Sequence, residues 1–207
     1  MRPSSAGACV LIVGLAVAGC GGGGSPVGPT SLSATGRLAI ALQVVLAAMG
    51  GFAQGSGVAQ ADRVPLGNLT CQTTCAGSSC AISCPIDERF DCPAGGRVTD
   101  KGQIEGTLDA SLSGDAPLAA TQTYDACRPD ATLTLNGAPS TNATGAARFI
   151  EGKLAAEQRV RITGAVDYVS TTEGSGRCSV ELNVTFDRSA HGSASGMACE
   201  KPVSVAF

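Results

Sequence analysis

The chain has 207 residues, 43% of them hydrophobic, with 28 Gly, ten Cys, five Phe, two Tyr and no Trp. That length suffices for one domain with its own core, and the supply of Val, Leu and Ile excludes disorder throughout. A charged fraction of 15% and a net charge of -3 exclude a polybasic nucleic-acid binder, because nothing in the chain neutralises a row of phosphates.

Met1-Arg2-Pro3 supplies a short positive start, and Ala8 to Ala18 is an apolar run of eleven residues. That is the length of a signal-peptide core, whereas a helix crossing a bilayer needs about 20 residues. The run closes on Val17-Ala18-Gly19-Cys20, which resembles the bacterial lipobox, where small residues precede an invariant cysteine. The resemblance implies a signal peptide over 1–19 and a mature chain starting at Cys20, which carries a thioether-linked diacylglycerol and an N-acyl chain. It implies an address too: the bacterial cell envelope, at the outer membrane or its periplasmic face, with the membrane as partner through the acyl chains. Each buried methylene contributes about 0.8 kcal/mol, so two or more chains hold stably. Gly21 to Ser31 is Gly/Ser/Pro-rich and uncharged. With Cys20 it makes a lipidated tether over 20–35, whose eleven coil residues reach roughly 20 Å by the square-root rule.

Residues 36–61 read as an apolar helix and a Gly-rich linker. Arg37 to Met49 is apolar on all sides except at Arg37 and Gln43, and its Leu and Ala content favours a helix that Gly50-Gly51 would end. Too short to span and too apolar for water, the helix needs cover from this protein or from the lipid surface. A second reading stays open: Arg37, an apolar run and Ala59-Gln60-Ala61 before Asp62 also resemble a signal peptide with its cleavage site, and no Asp or Glu precedes Asp62.

Setting aside Cys9 in the signal peptide and Cys20, eight cysteines remain: Cys71, Cys75, Cys80, Cys84, Cys92, Cys127, Cys178 and Cys199. An even number in an exported chain reads as four disulfides, with 105 possible connectivities. Five lie in the segment 62–96 and three beyond, so at least one bridge ties that segment to the later chain. The twin C-x3-C spacings of Cys71/Cys75 and Cys80/Cys84 fit zinc poorly, since zinc knuckles favour C-x2-C. Within the same segment, Asp87, Glu88 and Asp91 read as a solvated turn pairing with Arg89 rather than as a Ca²⁺ site, because no D-x-D-x-D-G loop surrounds them. No metal and no cofactor is expected.

From Arg97 to Phe207, period-two alternation dominates. Ile104, Gly106, Leu108, Ala110 and Leu112 share one side, as do Val160, Ile162, Gly164, Val166 and Tyr168, and Cys178, Val180, Leu182, Val184 and Phe186. One dry and one wet face mark antiparallel sheet. About eight strands are expected, over 97–101, 103–112, 117–126, 131–136, 146–154, 158–169, 178–187 and 196–206, with turn signals including Asn142 to Gly145. The fold class is mainly β: an antiparallel curved sheet wrapped on the apolar helix, or a sandwich or partly open barrel closed on itself.

No catalytic residue stands out. His191 is the single histidine, in a turn, and His191-Gly192-Ser193-Ala194-Ser195-Gly196 misses the G-x-S-x-G pattern because Ala194 takes the serine position. The expected function is non-enzymatic: a lipid-anchored envelope protein with a structural or interaction role, with an envelope protein as partner and no nucleic acid. The architecture is similar in style to bacterial lipoproteins that pair a lipobox and Gly/Ser tether with a Gly/Thr/Ser-rich β domain. An alternative is a carrier of an apolar ligand or lipid on the sheet's dry face, as in lipoproteins with an unclosed barrel, with Leu42 and Leu46 of the helix lining the site. An envelope hydrolase is the third class.

Overall fold

The computed structural model describes residues 32–53, 63–66, 69–187 and 191–207. The expected signal peptide, Cys20, the expected tether up to Ser31 and the Ala59–Ala61 motif lie outside the described residues. One helix, α1 (Ala34–Ala53), precedes eleven strands: β1 (Arg63–Leu66), β2 (Leu69–Ala76), β3 (Ser79–Asp91), β4 (Arg97–Asp109), β5 (Gly114–Cys127), β6 (Leu133–Ile150), β7 (Lys153–Leu154), β8 (Glu157–Ser170), β9 (Gly174–Asp187), β10 (Gly192–Ala198) and β11 (Lys201–Ala206). They form one antiparallel meander in which each strand lies beside its predecessor, with β7 a two-residue branch on β6. The sheet does not close. Its edges are β1 and β11, and it curves so that α1 meets β3 to β6 and β8 to β11. Of the expected architectures, the curved sheet on a single helix is the one adopted.

Alternation explains the strands. Along β9, Cys178, Val180, Leu182, Val184 and Phe186 are buried while Ser179, Glu181, Asn183 and Asp187 are exposed. Ile40, Val44, Val45 and Met49 of α1 pack into the same core as Ile104, Leu135, Phe149, Ile162 and Leu182. Ser33 caps the helix, its Oγ accepting the Gly36 N–H at 3.1 Å, which satisfies one of the free first-turn amides.

Several expected boundaries move. The predicted strands 97–101 and 103–112 are one strand, β4. Those at 131–136 and 146–154 join through the expected turn at Asn142 to Gly145, because Asn142 and Thr144 face water while Thr141, Ala143, Ala147 and Phe149 stay buried on one side of β6. The predicted strand 196–206 is instead a hairpin that turns at Cys199-Glu200 between β10 and β11. Helix α1 continues past Gly50-Gly51 to Ala53, since a helical Gly costs only about 1 kcal/mol relative to Ala and does not forbid the conformation. The segment 62–96 belongs to the same sheet, with β3 fully paired to β4.

All eight of the cysteines at positions 71 to 199 form disulfides: Cys71–Cys84, Cys75–Cys80, Cys92–Cys127 and Cys178–Cys199. The first two are rungs of one ladder. β2 and β3 pair Gln72 with Ser83 and Cys75 with Cys80, so residues whose numbers sum to 155 face each other, and Cys71 faces Cys84. The twin C-x3-C spacing is therefore a hairpin signature, two cystines stacked on one face of a two-residue turn with Gly77 at φ 62°. Cys92–Cys127 ties the end of β3 to the end of β5 and is the link between the 62–96 segment and the later chain.

Candidate functional site

The concave face of the sheet is the candidate site, and α1 lies in it. Across most of that face the strand-to-strand rows are apolar: Ile86, Gly102, Ala120, Ala143, Ile162 and Leu182 stand side by side on β3, β4, β5, β6, β8 and β9. The neighbouring row is different. There Glu88, Asp100, Gln122 and Thr141 follow one another across β3 to β6, and the row runs on to Gly164 of β8.

From Asp100 to Thr141 this polar row is buried. Asp100 is 2% exposed, Gln122 and Thr141 are at 0%, and Tyr124 beside them is at 3%. Thr141 Oγ1 donates to Gln122 Oε1 at 2.5 Å, and the Tyr124 hydroxyl lies 3.5 Å from the same threonine oxygen. Burial lifts the Asp100 carboxyl from the usual carboxylate range to about 7; Gln122 beside it works the other way and Glu88 across the strand pair adds to the rise. Burial also pushes the Tyr124 phenol up. Gln122 stands next to Asp100, yet Asp100 Oδ1 and Gln122 Nε2 have no hydrogen-bond partner. A neutral carboxyl tolerates that position at far lower cost than a charged one, which accounts for the direction of the shift.

The row lies in regular register and borders the place where β6 bulges. There the register of β6 shifts between Asn136 and Thr141 against both β5 and β8, which brings Ser140 against Gly164. Gly164 has φ 138°, and a Cβ there would lie 2.3 Å from the Ser140 carbonyl oxygen, so only glycine fits opposite the bulge.

At the other end of α1 a separate set of contacts fixes where the helix enters. Glu173, in the β8–β9 turn, accepts the Ser33 N–H at 2.5 Å, and the Arg37 guanidinium donates to the Leu32 carbonyl. The Ser33 hydrogen bonds, with Arg37 nearby, hold the Glu173 carboxyl below its usual range. A small cavity of about 70 Å³ opens here between Leu32, Ala39, Asp130, Thr132, Leu133 and Glu173.

The residues singled out from sequence distribute as follows. Leu42 is half-buried and Leu46 is 43% exposed, so neither lines the concave face; Ile40, Val44, Val45 and Met49 do. The reason is that α1 is apolar all round, which leaves no polar stripe to mark its outer side. Asp87, Glu88 and Asp91 lie in β3 rather than in a turn. Alternation puts Asp87 and Asp91 in water and Glu88 half-buried on the opposite face, and Asp87 approaches Lys101 at 3.9 Å, not Arg89. Among the described residues, no group of three or more His, Cys, Asp or Glu side chains could hold a metal, and no helix is long and apolar enough to cross a membrane. His191 is exposed in the β9–β10 turn, its N–H bonded to Asp187. No protein family, curated protein or solved structure matches this chain. The polar row itself was missed by sequence reasoning, because its members come from four strands and only the register joins them.

Proposed function

We propose that the protein is a non-enzymatic, lipid-anchored component of the bacterial cell envelope with a structural or interaction role. The observation that carries this reading is Val17-Ala18-Gly19-Cys20 at the close of an eleven-residue apolar run. Four disulfides suit an oxidising compartment and support the same address. The concave face is filled by the protein's own helix, which favours a role played by the outer surfaces. A second reading, a carrier from which an amphiphile displaces α1, draws on the buried polar row of Asp100, Gln122 and Thr141 beside the apolar rows of the sheet.

Intact-mass measurement on full-length protein extracted from its own membrane tests the proposal. The expected mass is that of a chain starting at Cys20, with diacylglycerol, an N-acyl chain and eight oxidised cysteines. A mass starting at Asp62 overturns it. A co-released apolar molecule in the native measurement turns the reading to the carrier.

A further inference from the structure

Helix α1 shows two apolar faces, and only one of them is covered. Ile40, Val44 and Val45 are at 0% exposure against the sheet. On the other side Leu38 is 39% exposed, Leu42 is half-buried and Leu46 is 43% exposed. These three are spaced by four residues, so they form one stripe along the helix, about 12 Å from first to last at 1.5 Å per residue. The edge strand β11 lies against α1, and Val203, Val205 and Phe207 at its end of the sheet are only partly buried on the core. The stripe, with this edge beside the helix, leaves an apolar seam that the core does not cover.

We infer that this seam rests on the lipid surface to which Cys20 is anchored, an inference that rests on the lipid-anchor reading above. The chain leading to Cys20 decides the occupant. The described structure starts at Leu32, two residues before α1, and Cys20 is twelve residues upstream. Twelve residues span at most about 40 Å even when fully extended. The first turn of α1 is thus confined close to the bilayer whenever Cys20 is acylated. Three half-exposed leucines would bind vesicles weakly by themselves, but a tether this short raises their effective concentration at the surface to the millimolar range. The helix opposes contact nowhere: its sequence holds no Asp or Glu, and its one basic residue, Arg37, is already engaged with the Leu32 carbonyl. The acidic groups nearest its N-terminus, Asp130 and Glu173, are held by Thr132 and Ser33.

The chain contains no Trp, so one introduced Trp reports its own surroundings. Full-length Leu46→Trp, purified from its own membrane with acylation at Cys20 verified by mass, is placed in phosphatidylethanolamine/phosphatidylglycerol vesicles with and without acyl-brominated lipid. The expected result is a loss of about half the emission in brominated vesicles, as befits a side chain entering the acyl boundary. Val169→Trp, at a position 52% exposed on the outer face of β8, keeps its emission in both. Equal emission from an acylated Leu46→Trp in the two vesicle types overturns the seam and leaves the anchor standing. Shielding that grows with protein concentration and ignores bromination assigns the seam to a second copy, and also overturns it. A chain without acylation at Cys20 overturns both.

Discussion

Two hairpins of this sheet reach the same geometry by different means. In β8–β9 the inward pairs are Val160 with Val184, Ile162 with Leu182 and Val166 with Cys178, large side chains that bury against α1 and the facing strands. In β2–β3 the surrounding residues are small and polar, such as Thr74, Ala76 and Ser79, and the pairs flanking Thr73 and Ile82 are cystines, Cys71–Cys84 in the core and Cys75–Cys80 at the hairpin tip with Cys75 exposed. The first hairpin is held by apolar area removed from water, at about 25 cal/mol per Å², and the second by a covalent ladder that also presents sulfur to the core. A disulfide ladder thus replaces bulk where composition supplies little of it.

The contrast predicts where the molecule breaks. The largest loss belongs to the packed hairpin: Leu182→Ala, at 0% exposure, costs about 2–5 kcal/mol in urea unfolding with disulfides intact. A cost below about 1 kcal/mol would mean that the concave face is loosely filled, as a carrier requires.

Next in size is the polar row that interrupts the packed region. Asp100 titrates at about 7 in the folded chain against 3.8 unfolded. The folded state therefore holds the proton more tightly, and stability is full below about pH 4, declines as pH rises towards 7 and is lowest above it. The decline amounts to about 4 kcal/mol at 1.36 kcal/mol per pH unit, and Asp100→Asn removes it from pH-dependent unfolding curves. A wild-type curve flat from pH 4 to 8 would contradict this.

The smallest effect belongs to the ladder. Cys75–Cys80 closes a loop of only five residues, and the chain-entropy model gives its removal, as Cys75→Ala with Cys80→Ala, about 2 kcal/mol. Cys92–Cys127 closes 35 residues and is worth about 4 kcal/mol in the same model. Equal losses from the two pairs would show that the cystines act through packing rather than through loop closure.

The same contrast separates what was legible in the sequence from what was not. In β8 and β9 apolar and polar residues alternate openly, and both strands and their facing were readable. In β3 the alternation Cys80, Ile82, Cys84, Ile86 is just as regular, but it is visible only when cysteine counts as a buried residue, so three strands were passed over as a disulfide segment. Helix α1 was legible as buried because it is apolar, and for that same reason its orientation was not: Leu42 and Leu46 look like Val44 and Val45. The polar row lay beyond reach, since Asp100, Gln122 and Thr141 sit on three strands and become neighbours only through strand register.

The meander order has a kinetic consequence. Every strand from β2 to β6, and from β8 onwards, pairs with one already synthesised, so the sheet can zip up in the direction of synthesis with short loop closures throughout. The helix is the exception. It is made before any of the described strands, yet its seat is complete only when β11 arrives, the last of the described elements. Until then Ile40, Val44 and Met49 have only an incomplete seat, which makes the first-made element the last to settle and the one that most needs shelter on the way.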